Sequence, residues 1–470
     1  MVRSIIRVAI VSVIVLGLIT VGACRNADKP AERTQVVVVG SGMAGLMSAL
    51  SLAEKGINVI LLEKEDVVGG RLYSVVFDGF VCNMGAQYFF DGIHPVVDSY
   101  VKSFDVQPID KLGIFWKGKF YKSKENEKDF PIPGELEGEM ALAYKQLNID
   151  YKLAGKGKEW FFDIEPKNDL WNKLEKMSCA EYLAKFPADV YDLINTELGA
   201  ETGGDIKYLS AVVLVGWDGD ENQRKFILKG GNQALAEKMK EDFIKAGGKV
   251  FLNSEVTKIK QSEDSVNVEC KNGQEFASDY VVVATTANVA TDIVKGLPTE
   301  KISVLSEAVY GPIAQIGLHL KNFPTGEKLS AALCVKGDIT GYLNQTGSVV
   351  GNPAEGTIIS VTVSDLDVLK LDDKALLERI GGALKKIDPV FNPETDILSY
   401  KIKRWKRAVP TWRPGYASKN QEALRKPVGR IFFAGDYTGD PSLMGAAWSG
   451  SRAAEQILDN IKNEKASPTG

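Results

Sequence analysis

The apolar residues that follow the first 30 positions change their spacing along the chain. Residues 35–39 read QVVVV, a continuous apolar run typical of a strand that is buried on both faces. Residues 46–56 read LMSALSLAEKG and have the spacing of a helix, and a second apolar run at residues 58–62 ends on Glu63. This order predicts a strand, a helix and a second, parallel strand.

Three glycines separate the first predicted strand from the helix. Gly40 permits a tight turn, Gly42 lets the backbone approach a pyrophosphate, and Gly45 lets the helix pack closely on the strand. Glu63 lies 18 positions after Gly45, close to the spacing of about 20 expected for an acidic residue that binds a ribose hydroxyl. The pattern therefore predicts a Rossmann-type dinucleotide site, with the phosphates at the positive end of the helix.

The first 24 residues have the composition of an export signal. Arg3 and Arg7 precede an apolar run of about 14 residues, which is shorter than the roughly 20 residues that span a bilayer. The run ends in Val-Gly-Ala-Cys24, which resembles a bacterial lipobox. We expect a signal peptide at residues 1–23, lipidation of Cys24, a tether at residues 24–33 and an extracytoplasmic, membrane-anchored lipoprotein of the bacterial cell envelope. An uncleaved signal anchor and an ordinary signal peptide are the alternatives.

Composition excludes several classes of function. The chain has 470 residues, of which 44% are hydrophobic, so a large core is available. The 57 Lys and Arg residues are balanced by 61 Asp and Glu residues, which makes nucleic acid an unexpected partner. Two histidines and five widely separated cysteines provide no local metal-ligand spacing, and we therefore expect no metal site.

Further motifs lie at both ends of the chain. Gly69-Gly70-Arg71 and Asn83-Met84-Gly85-Ala86-Gln87 follow the glycine loop, and residues 429–436 and 444–446 lie near the C-terminus. With these motifs the chain resembles the flavin amine oxidase superfamily, which includes monoamine and polyamine oxidases, protoporphyrinogen oxidase and carotenoid desaturases. The resemblance covers nearly the whole predicted mature chain.

The resemblance implies noncovalent FAD, since no cysteine lies between Cys334 and the C-terminus. It implies that Glu63 binds the adenosine ribose, Val256 the adenine and Asp436 the ribityl chain. The implied cofactor-binding residues are Gly40, Gly42, Met43, Ala44, Gly45, Glu63, Gly70, Arg71, Gly85, Ala86, Gln87, Val256, Gly435, Asp436, Met444, Gly445 and Ala446.

The resemblance also implies an α/β fold with two parts. The Rossmann-type FAD-binding domain is discontinuous and comprises residues 34–95, 225–300 and 395–463. Residues 96–224 and 301–394 form an inserted α+β substrate domain. The sequence leaves the oligomeric state open.

Two positions depart from the pattern of simple amine oxidases. Gln315 replaces a lysine that in many amine oxidases holds a water beside the flavin, and Ser442 or Leu443 replaces an aromatic residue. These departures favour a bulky or cyclic substrate, with Trp405 and Tyr416 as candidate walls of the substrate site. Gln315, Trp405 and Tyr416 are the candidate catalytic residues.

We therefore predict an enzyme that oxidises a C–N or C–C bond of a small-molecule substrate by hydride transfer to FAD. The electron acceptor is oxygen or a quinone. The alternatives are a carotenoid-type desaturase or isomerase and a redox-inactive FAD-binding lipoprotein.

The leader gives a first testable prediction. Because one acyl chain binds membranes only marginally, we expect the mature chain to begin at a Cys24 that carries at least two acyl chains. Mass spectrometry of the native N-terminus checks this prediction. An intact Met1 together with a free Cys24 thiol would contradict it.

Overall fold

The computed structural model describes residues 31–124, 130–155, 162, 167–219, 224–324, 329–365, 367 and 370–466. The predicted leader, including Cys24, lies outside these residues. In the described ranges, no helix is both long and apolar enough to cross a membrane.

Groups of strands and groups of helices follow one another along the chain. The strands are β1 (Glu32–Val39), β2 (Val59–Leu62), β3 (Ser74–Phe77), β4 (Phe80–Asn83), β5 (Phe89–Phe90), β6 (Val106–Pro108), β7 (Leu112–Trp116), β8 (Lys119–Lys122), β9 (Lys225–Leu228), β10 (Lys249–Phe251), β11 (Val256–Gln261), β12 (Val266–Cys270), β13 (Glu275–Val283), β14 (Tyr310–Leu320), β15 (Ala331–Cys334), β16 (Gly341–Asn344), β17 (Thr357–Val363), β18 (Ile397–Pro410) and β19 (Ile431–Phe433).

The helices are α1 (Met43–Ala53), α2 (Pro95–Val101), α3 (Glu137–Gly155), α4 (Asp169–Glu175), α5 (Cys179–Leu183), α6 (Ala188–Thr202), α7 (Ala211–Asp218), α8 (Gln233–Lys245), α9 (Ala287–Ile293), α10 (Thr299–Ser306), α11 (Asp373–Ile387), α12 (Pro393–Asp396), α13 (Tyr416–Arg425) and α14 (Leu443–Ala466). The predicted α/β fold class is confirmed.

The first large sheet contains the predicted strand–helix–strand unit. Its order is β10-β2-β1-β13-β12-β11, and β19 pairs with β13. The strands β10, β2, β1, β13 and β19 run parallel, so their carboxyl ends meet at one edge of the sheet. Gly40 follows β1 and Glu63 follows β2 at this edge, which is where open α/β sheets bind ligands.

The second large sheet has the order β18-β14-β17-β16-β15-β7-β8. The strand β18 pairs along its length with β14, antiparallel, from Tyr310–Pro410 to Leu320–Ile397. The predicted boundary counted residues 395–410 with the FAD-binding segments, but the pairing places β18 in the second sheet. The alternation of basic and apolar residues in β18 cannot reveal a partner strand that begins 87 positions earlier in the chain.

Close packing of α1 against α14 joins the two ends of the chain. Every residue of α1 except Ser51 is buried. A Cβ atom at Gly450 would lie 2.3 Å from the Ala44 carbonyl oxygen, so only glycine allows this approach. The Ser48 hydroxyl donates to the Gly450 carbonyl at 3.0 Å.

The helix α13 has a charged side chain from another element at each end. At its N-terminus, the buried Glu175 carboxylate accepts from the Ala417 N–H at 2.8 Å and from the Ser418 hydroxyl at 2.9 Å. At its C-terminus, the Lys301 amino group donates to the carbonyls of Ala423, Leu424 and Lys426 at 2.7–2.9 Å. Both charges have the sign that complements the helix dipole.

Opposing effects act on Lys301, which is 5% exposed. Burial, followed by the neighbouring Lys426, lowers the pKa of Lys301 to about 7. The three carbonyl acceptors favour the protonated form, because only an ammonium has three N–H donors. The Phe433 ring, 4.1 Å from Nζ, also favours the cation.

The C-terminal contacts of α13 give a stability prediction. Lys301→Met leaves three carbonyl groups without their donor, and we expect a loss of about 2–4 kcal/mol in the free energy of unfolding. Urea unfolding measures the change. Glu300→Gln, at an exposed neighbouring position of α10, is the matched control and should change it by less than about 0.5 kcal/mol. Equal effects of the two substitutions would contradict the role assigned to Lys301.

Candidate active site

One cavity of about 2150 Å³ is lined by residues of both large sheets. Most of the residues predicted to bind the cofactor or substrate contribute to its wall: Gly40, Gly42, Met43, Ala44, Glu63, Gly70, Arg71, Gly85, Ala86, Gln87, Val256, Gln315, Trp405, Gly435, Asp436, Met444 and Ala446. Gly45, Gly445 and Tyr416 do not line it. Typical small-molecule pockets measure about 300–1,000 Å³, so this cavity has room for a large cofactor and a substrate together.

The glycine loop has the close approaches that its sequence predicts. Gly40 has a φ of +99°, and a Cβ atom there would lie 2.8 Å from the Ala284 carbonyl oxygen. A Cβ atom at Gly45 would lie 1.8 Å from the Gly40 carbonyl oxygen, so Gly45 acts through packing of α1 and not through the cavity wall. At Gly42 a Cβ atom would have no protein atom within 4 Å and would project into open space. The backbone at Gly42 thus borders an open space, here called the glycine cradle, that any side chain would fill.

Glu63 lies 6% exposed at the carboxyl end of β2. Its Oε2 atom accepts from the Ser41 N–H at 2.8 Å and from the Ser41 hydroxyl at 2.6 Å, and its Oε1 atom accepts from the Glu65 N–H at 3.0 Å. These bonds fix the carboxylate on the cavity wall. Val256 lines the same cavity. A fixed carboxylate at this place can accept hydrogen bonds from the hydroxyl groups of a ribose.

Two helix N-termini open onto the cavity. The helix α1 has no side-chain cap at Gly42 and no acidic residue in its first turn, and Met43 and Ala44 line the cavity. Met444 and Ala446 line it from the first turn of α14. Gly445 lies behind them, where a Cβ atom would meet the Asp440 carbonyl oxygen at 2.1 Å. Positive helix ends and free N–H groups suit phosphate or other negatively charged ligand atoms.

Arg71 connects three segments of the wall. Its Nη1 atom donates to Asp436 Oδ2 at 2.5 Å and to the Ala408 carbonyl at 2.7 Å. The Asp436 side chain is 5% exposed, whereas that of Arg71 is 33% exposed. Removing Arg71 would therefore leave the Asp436 carboxylate buried without its compensating charge.

Gln87 fixes the segment that follows β4. Its amide nitrogen donates to the carbonyls of Asn83 and Gly85 at 3.0 and 2.9 Å, and its oxygen accepts from the Ser360 hydroxyl. Gly85 can have no side chain, because a Cβ atom would lie 2.0 Å from the Arg71 carbonyl oxygen. The loop around Gly85 and Ala86 is therefore held close to Arg71.

Gln315 and Trp405 lie on the part of the wall formed by the second sheet. Gln315 is 3% exposed, and its amide oxygen accepts from the Thr362 hydroxyl at 3.1 Å. The Trp405 indole N–H donates to the Met84 carbonyl at 2.6 Å, which fixes the ring. The Tyr73 ring packs edge-on against Trp405, with 6.1 Å between ring centroids.

Tyr416 does not reach the cavity, contrary to the expectation from the sequence. It is 4% exposed and packs against Trp412, with 6.0 Å between the ring centroids. Tyr416 begins α13, and the bonds to Glu175 at the start of this helix hold it in the core. Tyr416 is therefore a packing residue in this structure.

A group of charged residues on the cavity wall was not predicted. Lys225 at the start of β9 lies 3.4 Å from Glu197 and 3.9 Å from Glu201, both on α6. The Tyr88 hydroxyl donates to Glu201. Burial, then Glu197 and Glu201, raises the pKa of Asp218 at the end of α7 well above its usual value. The i, i+4 spacing of Glu197 and Glu201 was the one signal for this acidic group in the sequence.

Comparison with known proteins identifies the chain. A model of the family described as flavin-containing amine oxidoreductases matches residues 43–458. The chain belongs to this family. The predicted flavin-dependent oxidoreductase is thereby confirmed, and the glycine cradle, the fixed carboxylate and the two helix ends fit a flavin dinucleotide.

Similar proteins include an L-amino-acid oxidase of Demansia vestigiata, 28% identical over 451 residues, with 88% of this chain and 84% of that protein covered. A flavin-containing amine oxidase of Oncorhynchus mykiss is 25% identical over 466 residues and covers 90% of this chain and 85% of its own. A solved putrescine oxidase bound to putrescine shares the fold, with a TM-score of 0.75 and 19% identity over 92% of this chain and all of the other. A cyclohexylamine oxidase from Brevibacterium oxydans has a TM-score of 0.72 and 17% identity over 91% of this chain and 99% of the other.

The cradle at Gly42 gives a prediction for flavin binding. Gly42→Val places a side chain whose Cβ atom meets no protein atom within 4 Å, so the fold should persist while the flavin content of the purified protein falls to near zero. The visible absorbance of the flavin measures the content. Gly382→Val, at an exposed position of α11 with equally open space, is the control and should remain flavin-replete. A flavin-replete Gly42→Val protein would contradict the proposed cradle.

Proposed function

We propose that this family member is an FAD-dependent oxidase that removes a hydride from the carbon beside the nitrogen of a bulky or cyclic amine. The observation that carries the proposal is the continuity of the cavity. The dinucleotide features at Gly42 and Glu63 and the wall at Gln315 and Trp405 belong to one cavity of about 2150 Å³. A cofactor held at the first two residues therefore extends towards the space bounded by the other two.

FAD, and not a mononucleotide flavin, suits the length of this site. Glu63 and Val256 supply the features of an adenosine site, and Arg71, Asp436 and the start of α14 supply those of the remaining part. The four cysteines among the described residues are buried, and none of them lines the cavity. We therefore propose that FAD binds without a covalent bond to cysteine.

The names of the relatives favour a C–N bond over a C–C bond, since they include amine oxidases and L-amino-acid oxidases. When bound, FAD would accept the hydride from the substrate carbon. Trp405, held by Met84, would orient the substrate, and the apolar residues Ile313 and Leu343 would exclude water beside it.

The substrate nitrogen must lose its proton before the neighbouring carbon can lose a hydride, because the lone pair of the nitrogen stabilises the cation that forms. We propose oxygen as the electron acceptor, with a quinone as the alternative.

A flavin-reduction assay tests this function. Under anaerobic conditions, a bulky or cyclic amine should bleach the flavin absorbance faster than a short alkylamine does. Admitting oxygen should restore the absorbance and produce hydrogen peroxide. Failure of every amine to reduce the flavin would reject the proposal, whereas re-oxidation by a quinone alone would correct the acceptor.

The role of Trp405 can be separated from cofactor binding. Trp405→Ala removes the indole that orients the substrate, and a misplacement of about 1 Å costs up to roughly a hundredfold in turnover. We expect that loss with unchanged flavin content. Leu398→Ala, at an exposed position of the same strand, is the control. Unchanged turnover in Trp405→Ala would show that the substrate lies elsewhere.

A further inference from the structure

A polar row crosses three strands of the second sheet. Gln315 on β14 is paired with Lys403 on β18 and with Thr362 on β17. Side chains directly opposite each other on neighbouring strands share a face of the sheet. All three residues line the cavity, so the row forms part of its wall.

Gln315 presents its amide NH2 group to the cavity. Because its oxygen accepts from Thr362, the orientation of the amide is fixed with the nitrogen on the other side. This nitrogen has no hydrogen-bond acceptor among the described residues, although the side chain is 3% exposed. The NH2 group is therefore available to an acceptor atom of a ligand.

Lys403 places its own charge over two aromatic rings of the wall. Its Nζ atom lies 4.6 Å from the centre of the Trp405 ring and 4.8 Å from the centre of the Tyr73 ring. Both distances are within the range of a cation–π interaction. Trp405 is fixed by its bond to Met84. The chain itself thus occupies the ring faces that would otherwise attract a cationic ligand.

We propose that Lys403 is a specificity-determining residue that, together with Gln315, excludes cationic groups from this part of the cavity and admits neutral groups, including hydrogen-bond acceptors. Gln315 and Lys403 offer the cavity an NH2 group and an ammonium, both of them donors, and the ammonium repels a second positive charge. The inference rests on the proposed function in treating this space as the substrate site. A substrate amine beside the row is then the free base.

The acidic group on α6 and α7 gives the cavity a second electrostatic region. Glu197, Glu201 and Asp218 surround Lys225, so acidic groups outnumber basic groups there, and burial raises the pKa of both Asp218 and Glu201. Arg404, next to Lys403, is paired with Asp373 at 2.5 Å. A ligand with both a charged and a neutral part would therefore place its neutral part at the row.

Two probes of the same shape test this exclusion of cationic groups by Lys403 and Gln315, here called the charge filter. Choline carries a quaternary nitrogen where 3,3-dimethylbutan-1-ol has a carbon, so the pair differs in charge alone. Isothermal titration calorimetry of the flavin-loaded protein measures their dissociation constants without turnover. We expect the wild type to bind dimethylbutanol more tightly than choline. Lys403→Met should bind choline at least about tenfold more tightly and dimethylbutanol within about threefold of the wild type.

Matched variants make the result specific. Lys403→Arg retains the charge and should behave as the wild type. If Lys403→Met does not fold, Lys403→Gln takes its place and should show the same gain in choline affinity. Lys401→Met removes a charge from an exposed residue of β18 that does not line the cavity, and should leave both constants unchanged. An unchanged choline affinity in Lys403→Met and Lys403→Gln, an equal gain in Lys401→Met, or no binding of dimethylbutanol to the wild type would overturn the inference.

The outcome is independent of the proposed reaction. A shift in the ratio of the two dissociation constants without flavin reduction by any amine would leave the charge filter in place and reject the oxidase function. Flavin reduction by amines without a shift in that ratio would support the oxidase function and reject the charge filter.

Discussion

The position of the cavity depends on the ion pair between Arg71 and Asp436. Arg71 follows the first βαβ unit, and its guanidinium donates to two groups. One is the Asp436 carboxylate, which precedes the last helix, and the other is the Ala408 carbonyl of the second sheet. The Asp436 carboxylate has little access to water, so its charge is stable only if Arg71 stays in place. The pair therefore fixes the end of β18 against the first sheet, and through β18 it fixes Trp405 and Lys403 relative to the glycine loop.

Features encoded within short stretches of sequence were predictable. The strand β1, the glycine loop and Glu63 lie within about 30 residues, and each has a backbone or packing requirement that few residue types satisfy. The predicted strand at 35–39 is longer in the structure, because Glu32–Thr34 also pair with β13. The wall residues near the C-terminus were found through resemblance to a family, since their spacing alone carries no comparable signal.

Features that depend on distant pairing were not predictable. Lys403 lies two residues before Trp405, so a strand would place both on one face, but its pairing with Gln315 requires the register between β14 and β18. The charged group of Lys225, Glu197 and Asp218 comes from three elements. Tyr416 was misplaced because an aromatic residue near a glycine does not reveal that the following helix is anchored in the core.

The anchoring of α13 has a consequence for how the protein folds. The helix has ten residues, too few for stable helix formation in isolation. Its capping groups come from Glu175, 242 positions before Ala417, and from Lys301, 122 positions before Ala423. Contacts of such high sequence separation form only after long loops have closed. We therefore expect this helix to become ordered late in folding, after three distant parts of the chain have assembled. Its amide protons should then exchange with solvent only through a global opening.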